Sequence, residues 1–246
     1  MTEEYIIKPV PPSDALAMAT IQYDSFNDAN NTTVNEISQL IEAEVAGSQS
    51  TLSSVPTREE RIKKMMEHQR ELFDRARAYT LIGIYSRSSP SPSSSASSAS
   101  SASEASGRKL VGFAVWRRIT SSTPPDSIET DKKEQLEPTL LNRFFAQMNR
   151  TRELTMRGKT YWFLKLLAIA PQYQRQGHGT KLLRYGLHRA QTEQVDAYLE
   201  SSSMGKTTYL KAGFRILGFD RLQQKNAKRG YVEWPFMIYE QSSTQV

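Results

Sequence analysis

Gly177 and Gly179 stand where an apolar run ends in a proline and an amphipathic segment begins, within Leu166-Leu167-Ala168-Ile169-Ala170-Pro171-Gln172-Tyr173-Gln174-Arg175-Gln176-Gly177-His178-Gly179-Thr180. A strand stopped by proline, a polar turn relieved of Cβ atoms and a helix start together aim several main-chain N–H groups outward, and such a cradle suits phosphate. Spacing excludes two other phosphate-binding turns. Gly-x-Gly-x-x-Gly fails because position 182 is Leu, and the Gly-Lys-Ser/Thr ending of a nucleotide-hydrolase loop fails because the order is Gly179-Thr180-Lys181. Gln174-x-x-Gly177-x-Gly179 remains, and its meaning rests on a second segment nearer the C-terminus.

About thirty residues on, the interval of one helix and one strand, Ala197-Tyr198-Leu199-Glu200-Ser201-Ser202-Ser203 reads as a strand entering a serine-rich turn. Met204 to Ala212 then reads as a short helix, with Tyr209 four residues ahead of Gly213-Phe214. Gly213 suits the left-handed residue that stops a helix, and Phe214 opens the next strand on its core side. These two segments, in this order and spacing, resemble the GNAT superfamily of N-acetyltransferases, whose pyrophosphate-binding motif is Gln-x-x-Gly-x-Gly and whose closing helix carries a tyrosine before Gly-Phe. The resemblance is specific from about Trp162 to Phe219 and topological before that.

The resemblance implies acetyl-coenzyme A as co-substrate, no metal, and direct attack of an amine on the thioester in a ternary complex. Matched by position, the Leu167 N–H meets the acetyl oxygen, and backbone at Ala168 and Ile169 holds the pantetheine arm like an added strand. With Gln174 opening the motif, amides from Arg175 through Gln176, Gly177, His178 and Gly179 to Thr180 take the pyrophosphate. Arg175 adds positive charge nearby, while Lys181 and Arg184 read as a solvated helix face. His178 is expected to cap the helix or face solvent. Ser202 falls where many relatives have an asparagine contacting the pantetheine arm. Tyr209 is the expected general acid, because a phenol with an ordinary pKa near 10 matches a thiol leaving group.

The base is less direct. Many relatives carry an acid on the fourth strand, whereas Trp162, Phe163, Leu164, Leu166 and Leu167 offer none. Glu200 is the best remaining carboxylate, with Asp24 and a water-mediated route still open. Leu199-Glu200-x-Ser202 resembles the small-amine and drug-acetylating branch that includes puromycin acetyltransferase, which points to a small amine acceptor. A protein or peptide acetyltransferase and a coenzyme A-binding module without turnover stay as alternatives.

Periodicity defines the elements that must position these groups. Tyr5 to Val10 reads as a strand, and Ser13 or Asp14 can cap a helix running toward Tyr23 and Phe26. Residues 27 to 56 are polar and poorly periodic. Thr57 and Glu60 form a capping box ahead of a helix with an apolar stripe at Ile62, Met65, Met66, Leu72 and Phe73. Thr80–Tyr85 and Leu110–Trp116 read as neighbouring antiparallel strands, separated by a Ser/Ala/Pro insertion at about 86–107 with nothing to bury. A helix from about Pro138 to Met148 precedes the strand Tyr161 to Ala170. The turn, a helix burying Leu182, Leu183 and Leu187, the short strand at 197–200, the Tyr209 helix and strands Phe214–Phe219 and Val232–Tyr239 complete the order. The fold class is α/β (α+β), a mixed, mostly antiparallel sheet flanked by helices in one domain over 1–246.

Composition narrows the function. With 38% hydrophobic and 24% charged residues, the chain of 246 residues can bury a sizeable core. The absence of cysteine rules out disulfides, thiolate zinc sites and thiol nucleophiles. Net charge is +6, from 32 basic and 26 acidic residues, yet no zinc finger or Lys/Arg block accompanies it, so no nucleic-acid partner is expected. No segment reads as a signal peptide or membrane span, and the expected location is cytosolic or nuclear.

Overall fold

Alternating apolar residues and a run of prolines define β1 (Tyr5–Pro9), followed by a 3-10 turn (Pro12–Asp14) and α1 (Ala15–Asn27). The computed structural model describes residues 4–27, 35–48, 56–75, 78–87, 108–123 and 139–241. Helices α2 (Asn35–Ser48) and α3 (Arg58–Asp74) precede strands β2 (Tyr79–Arg87) and β3 (Arg108–Ile119). After α4 (Leu140–Thr155) come β4 (Tyr161–Ile169), a 3-10 turn (Pro171–Tyr173), α5 (His178–Thr192), β5 (Asp196–Glu200) and α6 (Lys206–Lys211). Strands β6 (Arg215–Gln223) and β7 (Tyr231–Tyr239) close the chain. The sheet order is β1-β2-β3-β4-β5-β7-β6. Pairings β1 with β2, β2 with β3, β5 with β7 and β6 with β7 are antiparallel. Strands β4 and β5 are parallel, in a register that runs only from Tyr161↔Asp196 to Phe163↔Tyr198.

Two compact units divide this chain, and β4 passes from one to the other between Phe163 and Leu164. The first comprises Met1–Asp28, Pro56–Arg118 and Leu164–Arg189. In it, α1 and α3 bring Met18, Ile21 and Leu72 against Tyr85, Phe113 and Ala168 of the strands. The capping box is present: the Glu60 N–H donates to the Thr57 hydroxyl and the Thr57 N–H donates to Glu60 Oε2 (3.2 and 2.7 Å). Asp14 is fully buried and accepts a hydrogen bond from the Tyr85 hydroxyl at 2.8 Å, a tertiary role in place of a cap alone. Strands β2 and β3 pair from Tyr79↔Arg117 to Arg87↔Arg108, so the expected insertion does join adjacent antiparallel strands, with Ser86 and Arg87 belonging to β2. The rest of the insertion lies outside the described residues.

The second unit comprises Ala29–Val55, Ile119–Phe163 and Ala190–Val246. Here α2 replaces what reads as aperiodic sequence. Its Leu40 packs with Leu140 and Trp234, and Glu44 Oε2 accepts the Leu140 N–H at 2.6 Å, so partners distant in sequence hold a helix with little periodicity of its own. Helix α4 likewise runs past the expected end at Met148 to Thr155. Thr139 caps its start, while Thr151 and Arg152 are tied to Asp220 and Glu200. A second cluster gathers Met156, Tyr161, Phe163, Tyr198 and Ile238.

Helix α5 crosses β3 at a position that admits no side chain. A Cβ at Gly186 would fall 2.0 Å from the ring of Trp116, which is wholly buried. Overpacking of this kind costs about 1–3 kcal/mol or more. Gly186→Ala is expected to lower stability to denaturation by at least that amount, and urea unfolding monitored by Trp fluorescence measures it.

Candidate active site

The turn expected to receive phosphate lies entirely within the first unit. The Ala170 N–H donates to the Val111 carbonyl at 2.9 Å, and Pro171, which has no N–H, then stops the ladder. The 3-10 turn hands over to Gln174, whose side-chain Nε2 donates to the Ile169 carbonyl at 3.0 Å and ties the turn to the strand end. Gln176 Nε2 similarly donates to the Gln172 carbonyl at 3.1 Å. These two amide side chains therefore shape the turn. Arg175 and Gly177 both take left-handed conformations, with φ of 61° and 82°. Such backbone costs a non-glycine residue of order 1 kcal/mol and concentrates at ligand-holding turns. Nothing lies within 4 Å of a Cβ built at Gly177, whereas one at Gly179 meets Ile169 and Leu167 at 3.8 Å.

The first hydrogen bond into α5 runs from the Lys181 N–H to the Gly177 carbonyl, 3.1 Å. Helix geometry leaves earlier first-turn amides, including those of Gly179 and Thr180, without an intrahelical acceptor and at the positive end of the helix dipole. Arg175, Gln176 and Gly177 are exposed around them. His178 departs from expectation. Its side chain is buried at 3% exposure with its ring 4.2 Å from that of Tyr5, because β1 covers the start of α5. Lys181 Nζ also lies over the Tyr5 ring, 5.8 Å from its centroid. Further back, Ala168 is buried while Leu167 and Ile169 are partly exposed. Gly112 of β3 allows this approach, since a Cβ there would fall 2.3 Å from Ile169 Cδ1 and 2.9 Å from the Ala168 carbonyl oxygen.

Glu200, Ser202 and Tyr209 lie together in sequence within the second unit. Glu200 ends β5, and its carboxylate, only 2% exposed, accepts from Arg152 Nη1 at 3.0 Å. The Arg152 guanidinium also donates to Asn149 and sits 4.0 Å above the centroid of the Phe163 ring. Burial pushes the Glu200 carboxyl up to about 7 despite the opposing pull of Arg152. Ser202 Oγ accepts the Gly205 N–H at 3.1 Å, a local turn that leads into α6. Tyr209 packs edge-on to Phe214, with ring centroids 6.0 Å apart, and over Gly205, where a Cβ would meet its ring at 2.7 Å. Burial raises the phenol's pKa, so it stays protonated through neutral pH. Gly213, φ 96°, closes α6, with the Phe214 N–H donating to the Tyr209 carbonyl at 3.0 Å. Both features match the expected helix stop.

Asp24, the alternative base, is paired with Arg58 at 2.7 Å at a partly exposed position of the first unit. Sequence reasoning misses the involvement of Arg152 and Asp220. Arg152 lies beyond the helix end expected at Met148, and its partner is 48 residues away, so no local signal marks it. Among the described residues no group of His, Asp and Glu is placed to hold a metal, and no helix is long and apolar enough to cross a membrane.

Residues 104–214, which span both the turn and the Tyr209 helix, match the family described as Acetyltransferase (GNAT) family. The fold is that of the GNAT acetyltransferases. An acetyltransferase of Stachybotrys chartarum is 28% identical over 139 residues, covering 51% of this chain and 57% of that protein. The chain thus matches a little over half the length of that relative. Among solved structures, the histone acetyltransferase HPA2 and related acetyltransferase from Corynebacterium glutamicum covers 100% of both chains at 17% identity, with a TM-score of 0.53. That likeness is one of fold.

Gly177 and Gly179 separate conformation from access. Gly177→Ala forces a side chain into left-handed backbone and is expected to cost about 1 kcal/mol of stability. Gly179→Ala meets only ordinary contacts and should shift the unfolding midpoint by less than Gly177→Ala does. Thermal unfolding of the two variants side by side checks the order.

Proposed function

We propose that this protein transfers an acetyl group from acetyl-coenzyme A to a primary amine of a small molecule, by direct attack within a ternary complex. The observation that carries the reading is the turn Gln174–Thr180, with left-handed Arg175 and Gly177 leading into a helix whose Gly179 and Thr180 amides precede its first internal hydrogen bond. Open space at Gly177 and the ordinary contacts at Gly179 fit a diphosphate brought against main-chain amides.

The coenzyme supplies a thioester. In the proposed reaction the ammonium gives one proton to a base, the freed amine nitrogen bonds to the acetyl carbon and the carbon–sulfur bond breaks. The nitrogen loses a second proton as the amide forms, the thiolate takes one, and one proton is released to solvent. The Leu167 N–H is the proposed donor to the acetyl oxygen, with backbone at Ala168 and Ile169 along the pantetheine arm and the Ser202 hydroxyl as a further contact. Tyr209 is the proposed acid: its buried phenol is protonated at neutral pH, and because burial weakens it relative to an ordinary phenol, its proton passes only as charge develops on the sulfur beside it. Glu200 is the proposed base, acting through water because its carboxylate is enclosed. A carboxyl held at about 7 is half ionised near neutral pH, as base catalysis favours.

Calorimetry with acetyl-coenzyme A and a thiol-detecting assay over an amine panel including puromycin, spermidine and a lysine peptide test the reading. The expected result is saturable coenzyme binding and thiol release with small amines. Gly179→Ala should weaken binding at least about tenfold while remaining folded, and Tyr209→Phe should lower kcat roughly 100-fold or more with little change in KM. Release with the peptide alone would move the acceptor to proteins. Tight binding with no release from any amine would replace the enzyme with a coenzyme A-binding module.

A further inference from the structure

Helix α4 carries a set of polar groups that the proposed reaction does not by itself require, all within the second unit. Gln147, Thr151 and Arg152 occupy one face of the helix and meet two carboxylates of the sheet. Gln147 Nε2 and the Thr151 hydroxyl both donate to Asp220 Oδ1, at 3.1 and 2.7 Å. Arg152 takes Glu200 and Asn149 with different nitrogens of its guanidinium. Strand register puts the acids on one side of the sheet, since Glu200 pairs with Phe236 and Asp220 with Trp234, two residues apart on β7.

We propose that Arg152 is a positioning residue of the reaction, holding Glu200 oriented and ionised from beneath while Asp220 opposes it. The proposal rests on the reading of Glu200 as base. Its geometry has three parts. The guanidinium stacks on Phe163, the last β4 residue in register with β5, and bonds Glu200, the last residue of β5, so one planar cation joins the two strands where their pairing ends. Nearly complete enclosure of the Glu200 carboxylate makes its charge depend on that one cation. Asp220 Oδ2 and the Tyr198 hydroxyl are buried without a hydrogen-bond partner among the described residues, so no donor screens the second acid on that oxygen.

The charged and titratable groups facing Glu200 are Arg152 from α4, Asp220 from β6 and Tyr198 from its own strand, with Tyr161 of β4 behind Tyr198. Arg152 lowers the Glu200 pKa through charge and hydrogen bonding, and Asp220 raises it. The two effects have opposite signs, and that makes the proposal separable from simple loss of packing. A structural arginine, once removed, would lower the folded fraction. It would not move a titration midpoint in one direction while loss of Asp220 moves it in the other.

The test is a carboxyl-carbon NMR titration of protein labelled at glutamate, with Glu200→Gln assigning the resonance, alongside the pH dependence of kcat/KM for the panel amine that releases most thiol. Wild-type Glu200 is expected to titrate near 7. Arg152→Met should raise that midpoint by about one pH unit or more, Arg152→Lys should keep it near wild type, and Asp220→Asn should lower it. The acid limb of kcat/KM should follow each shift, because a base must be ionised to act. Midpoints that stay put in Arg152→Met and Asp220→Asn overturn the proposal, as do midpoints that move without the limb. If Arg152→Met does not fold, Arg152→Gln, which keeps a polar side chain against Phe163 but removes the charge, carries the same test: its midpoint should also rise, and one that stays put overturns the proposal. A limb and rate unchanged in Glu200→Gln sink the base reading itself, a result distinct from either of the others.

Discussion

Main-chain hydrogen bonds that the fold does not consume are the constraint on which the cradle depends. Strand β4 spends its last pairing at Ala170, proline ends the ladder, and α5 does not take up a carbonyl until Gly177 accepts from Lys181. Between these points the Tyr173 and Gln174 N–H groups close the 3-10 turn, and the Gly179 and Thr180 amides need acceptors from outside the helix. Gln174 satisfies the Ile169 carbonyl with a side chain, so that acceptor is consumed within the turn. Together with the positive end of the α5 dipole, the Gly179 and Thr180 amides favour an anion, which fits the diphosphate role proposed for the turn. Arg175, in left-handed backbone without being glycine, stores a small strain that a tightly determined turn can hold.

Electrostatics in the second unit work by the opposite rule, through side chains and burial. Removing Glu200 and Arg152 from water costs more than an exposed pair would, and their mutual attraction only partly offsets it. Such a pair is a poor way to gain stability. It is a good way to keep a carboxylate near half ionisation, because desolvation raises its pKa while the neighbouring cation limits the rise. Tyr209 is shifted by burial alone, so its pKa moves only upward and it remains a proton donor. The two groups are thus driven to different protonation states by different surroundings, which fits the acid and base roles proposed for them.

Local signals in the chain are legible where the interaction spans a few residues. The Thr57–Glu60 box, the left-handed Gly213 and the β2–β3 pairing all depend on neighbours or on strong alternation. Helix α2 and the far end of α4 are not legible, because Leu40, Glu44, Thr151 and Arg152 are held by residues distant in the chain. His178 defeats local reasoning in the same way. A polar residue at a helix start reads as exposed, and only the return of β1 puts Tyr5 against it.

By itself the sequence determined the strand stop at Pro171, the glycine turn before α5 and the helix stop at Gly213, since these are matters of which residues tolerate a given φ and which lack an N–H or a Cβ. The tertiary structure alone decided the state of Glu200. Its charge depends on a guanidinium 48 residues away and on an acid two strands across the sheet, and neither proximity exists until the backbone is folded around them. Backbone conformation is a local property, whereas desolvation and Coulomb energy depend on everything brought near.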